Sequence, residues 1–326
     1  MLELVKDMLG GSVLSLARLI TLVERDGDEV PAIMRLVYPH LGKAYRVGIT
    51  GPPGAGKSTV VDRLTAMMRQ QGFTVGVICV DPTSPFTGGA VLGDRIRMQQ
   101  HYLDDGVFIR SMATRGSQGG LPQTTSGVVK LLDAFGKDFI LVETVGVGQT
   151  ELDIMESVDT VAVILVPEAG DTIQTMKAGL LEIADIFAVN KADRPGADNL
   201  VAELRAMLQL YPKQTWWQVP VIATEATNNV GIEELRELVD DHCRALNEAG
   251  ELQQRRQKQR RQEFVGIVEN RVASALLRLI DRDEGLAEYV GKVGVGEIDP
   301  YSATEEILRE ESSLANWRQL ARKETV

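Results

Sequence analysis

Eight residues, Gly51-Pro52-Pro53-Gly54-Ala55-Gly56-Lys57-Ser58, restrict what this chain can become more than any other stretch. They follow a short apolar run, Tyr45 to Thr50, and open a helical pattern that starts near Lys57. A strand, a glycine-rich turn and a helix in the spacing G-x-x-x-x-G-K-[ST] form a P-loop. The task dictates the residue types. Glycines let backbone N–H groups turn inward around a phosphate chain, and the helix N-terminus adds the positive end of its dipole. Lys57 is placed to reach the β- and γ-phosphates and Ser58 to ligate Mg2+, so Gly51 through Thr59 are the candidate phosphate-binding residues.

The rest of the chain supplies a sheet for that loop. Apolar, β-rich runs at Val47–Thr50, Val75–Asp81, Val107–Arg110, Phe139–Glu143, Thr160–Val166, Ile186–Asn190 and Val219–Ala223 alternate with helical patterns. Those patterns include Lys57–Gln70, Asp94–Tyr102, Gln123–Phe135 and Ile173–Ile183. Near-continuous apolar strands separated by helices predict an α/β fold of the P-loop NTPase type, a mostly parallel sheet flanked by helices. Residues 1–44 read as an N-terminal helical extension, 45–248 as the nucleotide-binding domain and 249–326 as a strandless C-terminal helical extension. In that last segment, the polar run Gln253–Gln262 carries Arg255, Arg256, Lys258, Arg260 and Arg261. A solvated helix face is the expectation for it, ahead of a phosphate- or RNA-binding patch.

Composition excludes several roles. The formal net charge of −11 argues against nucleic acid as the main partner. Two cysteines, Cys79 in an apolar run and Cys243 on a helical pattern, provide neither a disulfide framework nor a CxxC pair, which suggests a reducing compartment. No signal-peptide pattern and no membrane-length apolar segment is visible, so a cytoplasmic protein without membrane attachment is expected.

The ends of the strands carry the chemistry. Asn190-Lys191-Ala192-Asp193 follows a strand and has the N-K-x-D form of a base-reading loop. A carboxylate at Asp193 accepts from the N1–H and the exocyclic N2 amine of guanine. Adenine lacks both donors and leaves the acid unpaired, so GTP and GDP are favoured over ATP. Lys191 can lie across the base plane and Asn190 can brace the loop. Thr224-Glu225-Ala226 follows the last strand, where a second base-contacting loop belongs, although its match is loose. Glu143-Thr144-Val145-Gly146 ends another buried strand and reads as a loop that senses the γ-phosphate through Gly146. Asp81 and Asp94 bound a Pro/Gly-rich segment. Mg2+ takes hard oxygens and few protein contacts, so Ser58 with one or more of Asp81, Asp94 and Glu143 suffices. Direct and water-mediated ligands are not distinguished by sequence. Lys57, Asp94 and Glu143 are the candidate catalytic residues. Gln149 has the wrong spacing from Gly146 for a water-orienting glutamine and no arginine finger is evident, so slow intrinsic turnover is expected.

Taken together, these motifs, with Asp81-Pro82-Thr83-Ser84 and Gly88-Gly89…Gly93-Asp94-Arg95, closely resemble the methylmalonyl-CoA mutase-associated GTPases, the MeaB/ArgK family in the G3E class. Glu143 is the most discriminating residue, since most G proteins carry Asp there. The resemblance implies a homodimer joined largely through C-terminal helices. It implies binding to adenosylcobalamin-dependent methylmalonyl-CoA mutase, with GTP hydrolysis gating cofactor loading and protecting the mutase. It also implies an extra switch around Gln174 and Lys177 that couples the two proteins. A nickel- or cobalt-delivering GTPase is the first alternative, but His40, His101, His242 and the two cysteines form no convincing ligand set. A P-loop small-molecule kinase and a non-catalytic scaffold are the others.

Overall fold

The strand residues are apolar on both faces because they form the middle layer of the molecule. Tyr45–Thr50 (β1), Val75–Asp81 (β2), Val107–Ala113 (β3), Phe139–Glu143 (β4), Thr160–Leu165 (β5), Ile186–Val189 (β6) and Val221–Ala223 (β7) form one sheet in the order β3-β2-β4-β1-β5-β6-β7. Every pairing is parallel, and β2, β4, β5 and β6 are buried at each residue. The computed structural model describes residues 1–81, 98–114, 121–122, 124–146, 153–169, 179–210, 216–280 and 284–309. From β1 the chain passes to β2 and on to the edge strand β3, returns to insert β4 between β2 and β1, and then crosses to β5, β6 and β7 on the other side of β1. This places the topological switch, where ligands bind in open α/β sheets, at the carboxyl end of β1.

Five strand limits differ from those expected: β1 starts two residues earlier, at Tyr45, β5 and β6 each end one residue earlier, at Leu165 and Val189, and β3 and β7 differ for local reasons. Strand β3 runs on to Ala113, paired along its length with β2. As an edge strand it is only partly buried, and Arg110-Ser111 interrupts its apolar run without ending its ladder. Strand β7 starts at Val221 rather than Val219. Pro220 has no N–H to donate, although its carbonyl still accepts from Phe187 N at 2.9 Å. Of the expected helix Asp94–Tyr102, the described part is a 3-10 turn at Gln99–His101. Of Ile173–Ile183, residues 179–183 are helical and the rest lies outside the described residues.

Helices Leu2–Leu9 (α1), Val13–Glu24 (α2) and Val30–Val37 (α3) make up the N-terminal extension. Met8, Leu16, Leu19, Ile20, Ile33 and Val37 are fully buried in the same apolar cluster as the sheet. At about 1.5–3 kcal/mol for each large side chain buried, that contact holds the extension firmly. Thr124–Ala134 (α5) packs against α2. The Asp133 carboxylate accepts the N–H groups of Gly42, Lys43 and Ala44 at 2.6, 3.0 and 2.9 Å, and so aims the chain into β1. Lys57–Gln70 (α4), Ala197–Leu210 (α6) and Ile232–Glu248 (α7) complete the layers around the sheet.

Met1–Gln259 forms one compact unit and Arg260–Val326 a second. The basic run lies on Glu251–Ile280 (α8), and the expectation of a solvated face fails for two of its arginines. Arg255 NH1 pairs with Asp185 Oδ2 at 2.9 Å, and Arg256 NH2 with Asp159 Oδ2 at 2.7 Å. Asp159 is fully buried and also holds Arg46 at 2.5 Å. The reason is electrostatic: a buried carboxylate needs cations and donors, and α8 brings them. Lys258, Arg260 and Arg261 are exposed. In the second unit, Asp299 caps Pro300–Arg309 (α10) by accepting from Tyr301 N and Ser302 N at 2.9 and 3.0 Å, and Glu284–Gly294 (α9) packs on that helix.

Burial pushes the Asp159 carboxyl up, but Arg46 and Arg256 outweigh it and hold the group below the usual carboxylate range. Its stabilising contribution is therefore complete above the unfolded value of about 4 and is lost as pH falls through the lower folded value. Arg256→Ala is expected to destabilise the first unit by about 3 kcal/mol at neutral pH, since Arg46 still partners the acid. It also moves the acid-unfolding midpoint to higher pH. Urea melts of both proteins between neutral and acid pH check both effects.

Candidate nucleotide site

Strand β1 ends at Thr50 and the chain turns sharply through Gly51–Gly56 before α4 begins at Lys57. Gly51, Gly54 and Gly56 all have positive φ, as a loop wrapped around an anion needs. Lys57 is buried, and its Nζ donates to Gly51 O and Pro52 O at 2.9 and 3.0 Å. The ammonium is thus fixed over the mouth of the loop.

The end of β4 meets this loop directly. Ser58 Oγ donates to Glu143 Oε1 at 2.7 Å, with both residues buried. Thr50 and Thr144 share a hydroxyl hydrogen bond of 2.8 Å, and Thr144 N donates to Ile49 O at 3.0 Å. Gly146 has φ +84°, and a Cβ there would overlap both Gly51 O and Lys57 Nζ. Only glycine allows so close an approach between this loop and the lysine. Asp81 is buried at the end of β2, the strand whose Cys79 is in register with Glu143. Ser58, Glu143 and Asp81 therefore gather at one edge of the sheet. A hydroxyl and carboxylates are hard oxygen donors, the chemistry that a hydrated Mg2+ requires. Asp94, Gln149, Gln174 and Lys177 lie outside the described residues.

Asn190 joins the P-loop to the Thr224–Ala226 loop. Its Nδ2 donates to Ala55 O in the phosphate loop at 2.8 Å. Its Oδ1 accepts from Ala226 N at 3.1 Å and from Thr224 Oγ1 at 3.3 Å. Thr224 N donates to Val189 O at 2.8 Å, and Ala192 N donates to Thr224 O at 3.0 Å. The Asn190–Asp193 and Thr224–Ala226 loops are therefore one hydrogen-bonded platform, which the loose sequence match of the second loop did not reveal. Lys191 is half-buried with φ +58°, and Asp193 is exposed. Glu225 is tied back by a bridge to Val230 and accepts from Asn228 Nδ2 at 2.6 Å.

Sequence reasoning missed a second brace. Asp62, one turn along α4 from Ser58, accepts from Gln100 Nε2 at 2.8 and 2.7 Å and lies 3.2 Å from His101 Nε2. Burial pushes the Asp62 carboxyl up, but the His101 and Gln100 hydrogen bonds hold it below its usual range. Nothing local marks Asp62, which sits between Val61 and Arg63 on the helix, as one half of this pairing.

Asn190→Ala removes one donor and one acceptor from a fully buried junction. The expected cost is about 2 kcal/mol of stability, because Ala55 O and Ala226 N lose their partner. GDP affinity is expected to fall by roughly tenfold or more as the two halves of the site lose their common register. Thermal melts and a fluorescent-GDP titration check the two effects separately.

The comparisons with known proteins agree with this geometry. A family model described as methylmalonyl Co-A mutase-associated GTPase MeaB matches residues 16–280. A Pyrococcus abyssi protein named as a GTPase is 51% identical over 311 residues, covering 94% of this chain and 96% of its own length. GTPase ArgK of Escherichia coli is 36% identical over 266 residues, covering 79% of this chain and 80% of its own. Among solved structures, one described as a LAO/AO transport system kinase matches with a TM-score of 0.70 and 27% identity, over 99% of this chain and 97% of its own. A family match over most of the chain, on a parallel sheet with a P-loop at its switch point, leaves one conclusion: the chain belongs to the methylmalonyl Co-A mutase-associated GTPase family, MeaB.

Proposed function

We propose that this GTPase uses a Mg2+-dependent nucleotide cycle to gate adenosylcobalamin loading onto methylmalonyl-CoA mutase and to protect that enzyme from inactivation. The family description names the mutase. The observation that carries the reading is the meeting of Gly146, Lys57, Ser58 and Glu143 at one point. A loop packed directly on the phosphate-binding lysine changes its surroundings when the γ-phosphate leaves, as a switch requires.

Lys57 neutralises charge on the β- and γ-phosphate oxygens, and the turned loop supplies its N–H groups to them. Ser58 and Glu143, with Asp81 and Asp94, would hold Mg2+, which supplies further charge neutralisation when bound. Asp193 and Lys191 read guanine on the platform fixed by Asn190, and Thr224, Glu225 and Ala226 close it. The segment around Gln174 and Lys177 reports to the mutase. Turnover is slow until the partner completes the site. Phe264, Val268 and Val272 recur every fourth residue on α8 and are exposed, an apolar stripe suited to a second copy of the chain in a homodimer.

Delivery of nickel or cobalt is the weaker reading. It needs histidines free to bind a metal, whereas His101 is buried beside Asp62 and His242 is buried with its Nδ1 2.8 Å from Thr160 Oγ1. A cofactor-transfer assay with the mutase tests the proposal. Adenosylcobalamin arrival should depend on which nucleotide this protein holds. Equal transfer with GDP, with a GTP analogue and with no nucleotide would remove the gating role.

A further inference from the structure

We propose that Gln259 is a coupling residue that transmits the nucleotide state sensed at Glu143–Gly146 to helix α8. The inference rests on the GTPase reading of the site. Gln259 is buried, and its side chain is fully engaged. Nε2 donates to Met155 O at 2.9 Å and to Val158 O at 2.6 Å, and Oε1 accepts from Arg46 NH2 at 2.9 Å.

Both carbonyls belong to the stretch that carries the chain from the Gly146 loop into β5. Its described part, residues 153–159, packs on the strand leading to the phosphate loop. Ile154 and Val158 are fully buried against Gly48 of β1, where an added Cβ would stand 2.6 Å from Ile154 Cδ1 and 3.0 Å from Val158 Cγ2. Asp159, the next residue, donates its N–H to Arg46 O at 2.8 Å and accepts Arg46 N at 3.0 Å. One amide thus joins α8, alongside the Arg255 and Arg256 contacts to Asp159, to a segment packed on the strand that ends at Thr50. The boundary between the two compact units falls immediately after it, between Gln259 and Arg260.

A merely structural glutamine would contribute equally in every nucleotide state. A coupling residue changes the difference between states while leaving binding itself nearly intact. Gln259→Glu keeps the size of the side chain and the acceptor for Arg46 but removes both donors. Gln259→Met removes all three hydrogen bonds without adding charge, and carries the test if the glutamate variant does not fold.

The experiment is amide hydrogen exchange of the full chain with bound GDP and with a non-hydrolysable GTP analogue. Peptides covering the first three turns of α8 are the readout, alongside fluorescent-nucleotide affinities. In the unsubstituted protein, exchange there is expected to differ by about fivefold between the two nucleotides, a typical coupling. In the folded variant that difference collapses towards unity while GDP affinity changes by no more than about twofold. An unsubstituted protein whose α8 exchange ignores the nucleotide overturns the proposal, as does a variant that keeps the full difference. Failure to bind any guanine nucleotide would instead overturn the GTPase reading itself.

Discussion

Lys57→Ala is expected to lower GTP turnover by roughly a hundredfold or more, which is the usual scale for removing a charge placed against developing negative charge in a preorganised site. The lysine does not act from a flexible surface. Its ammonium is buried and already held by Gly51 O and Pro52 O, so no ordering is needed when phosphate arrives. Alanine leaves those two carbonyls facing the phosphate chain with no cation between them. GDP affinity should fall less than turnover, because the loop N–H groups and Asn190 platform remain. Single-turnover hydrolysis with a parallel GDP titration separates the two. Turnover within a few-fold of the unsubstituted protein would mean that Lys57 is not the charge-stabilising group.

Asp193→Asn carries the second large effect, on selectivity. Guanine offers two N–H donors in line, and a carboxylate accepts both. An asparagine turns one of those acceptors into a donor that opposes a guanine N–H. The expected result is a loss of GDP affinity of about a hundredfold or more. Xanthosine diphosphate, which carries a carbonyl in place of the N2 amine, should lose far less. Because Asp193 is exposed, the melting temperature of the nucleotide-free protein should hardly move. A variant that binds GDP normally would place guanine recognition elsewhere.

The parts of the fold legible in the sequence were those with local signals. Buried parallel strands read as apolar runs, and the phosphate loop is contiguous, so β1, α4, β2 and β4 stood out. The ends of β3 and β7 did not. An edge strand is polar on one side, and the apolar run Val219–Ala223 does not show that Pro220, lacking an N–H, delays the start of β7 to Val221. Arg255 and Arg256 look like any charged helix face, because Asp185 and Asp159, which draw them inward, lie far away in sequence. The brace from Asp62 to Gln100 and His101 was hidden for the same reason. At the site, the types and order of residues were readable, but not their joining. Only the folded chain shows Asn190 between Ala55 and Ala226, or Gly146 against Lys57.

On the proposed function, the nucleotide bound at Gly51–Ser58 governs association with a cobalamin-dependent mutase. The most direct measurement is the affinity of the purified protein for methylmalonyl-CoA mutase, determined with GDP and with a non-hydrolysable GTP analogue. A stable complex is expected, with a Kd that differs between the two nucleotides by about fivefold or more and a difference that Lys57→Ala reduces. No complex in either state, or one whose affinity is the same in both, would contradict it.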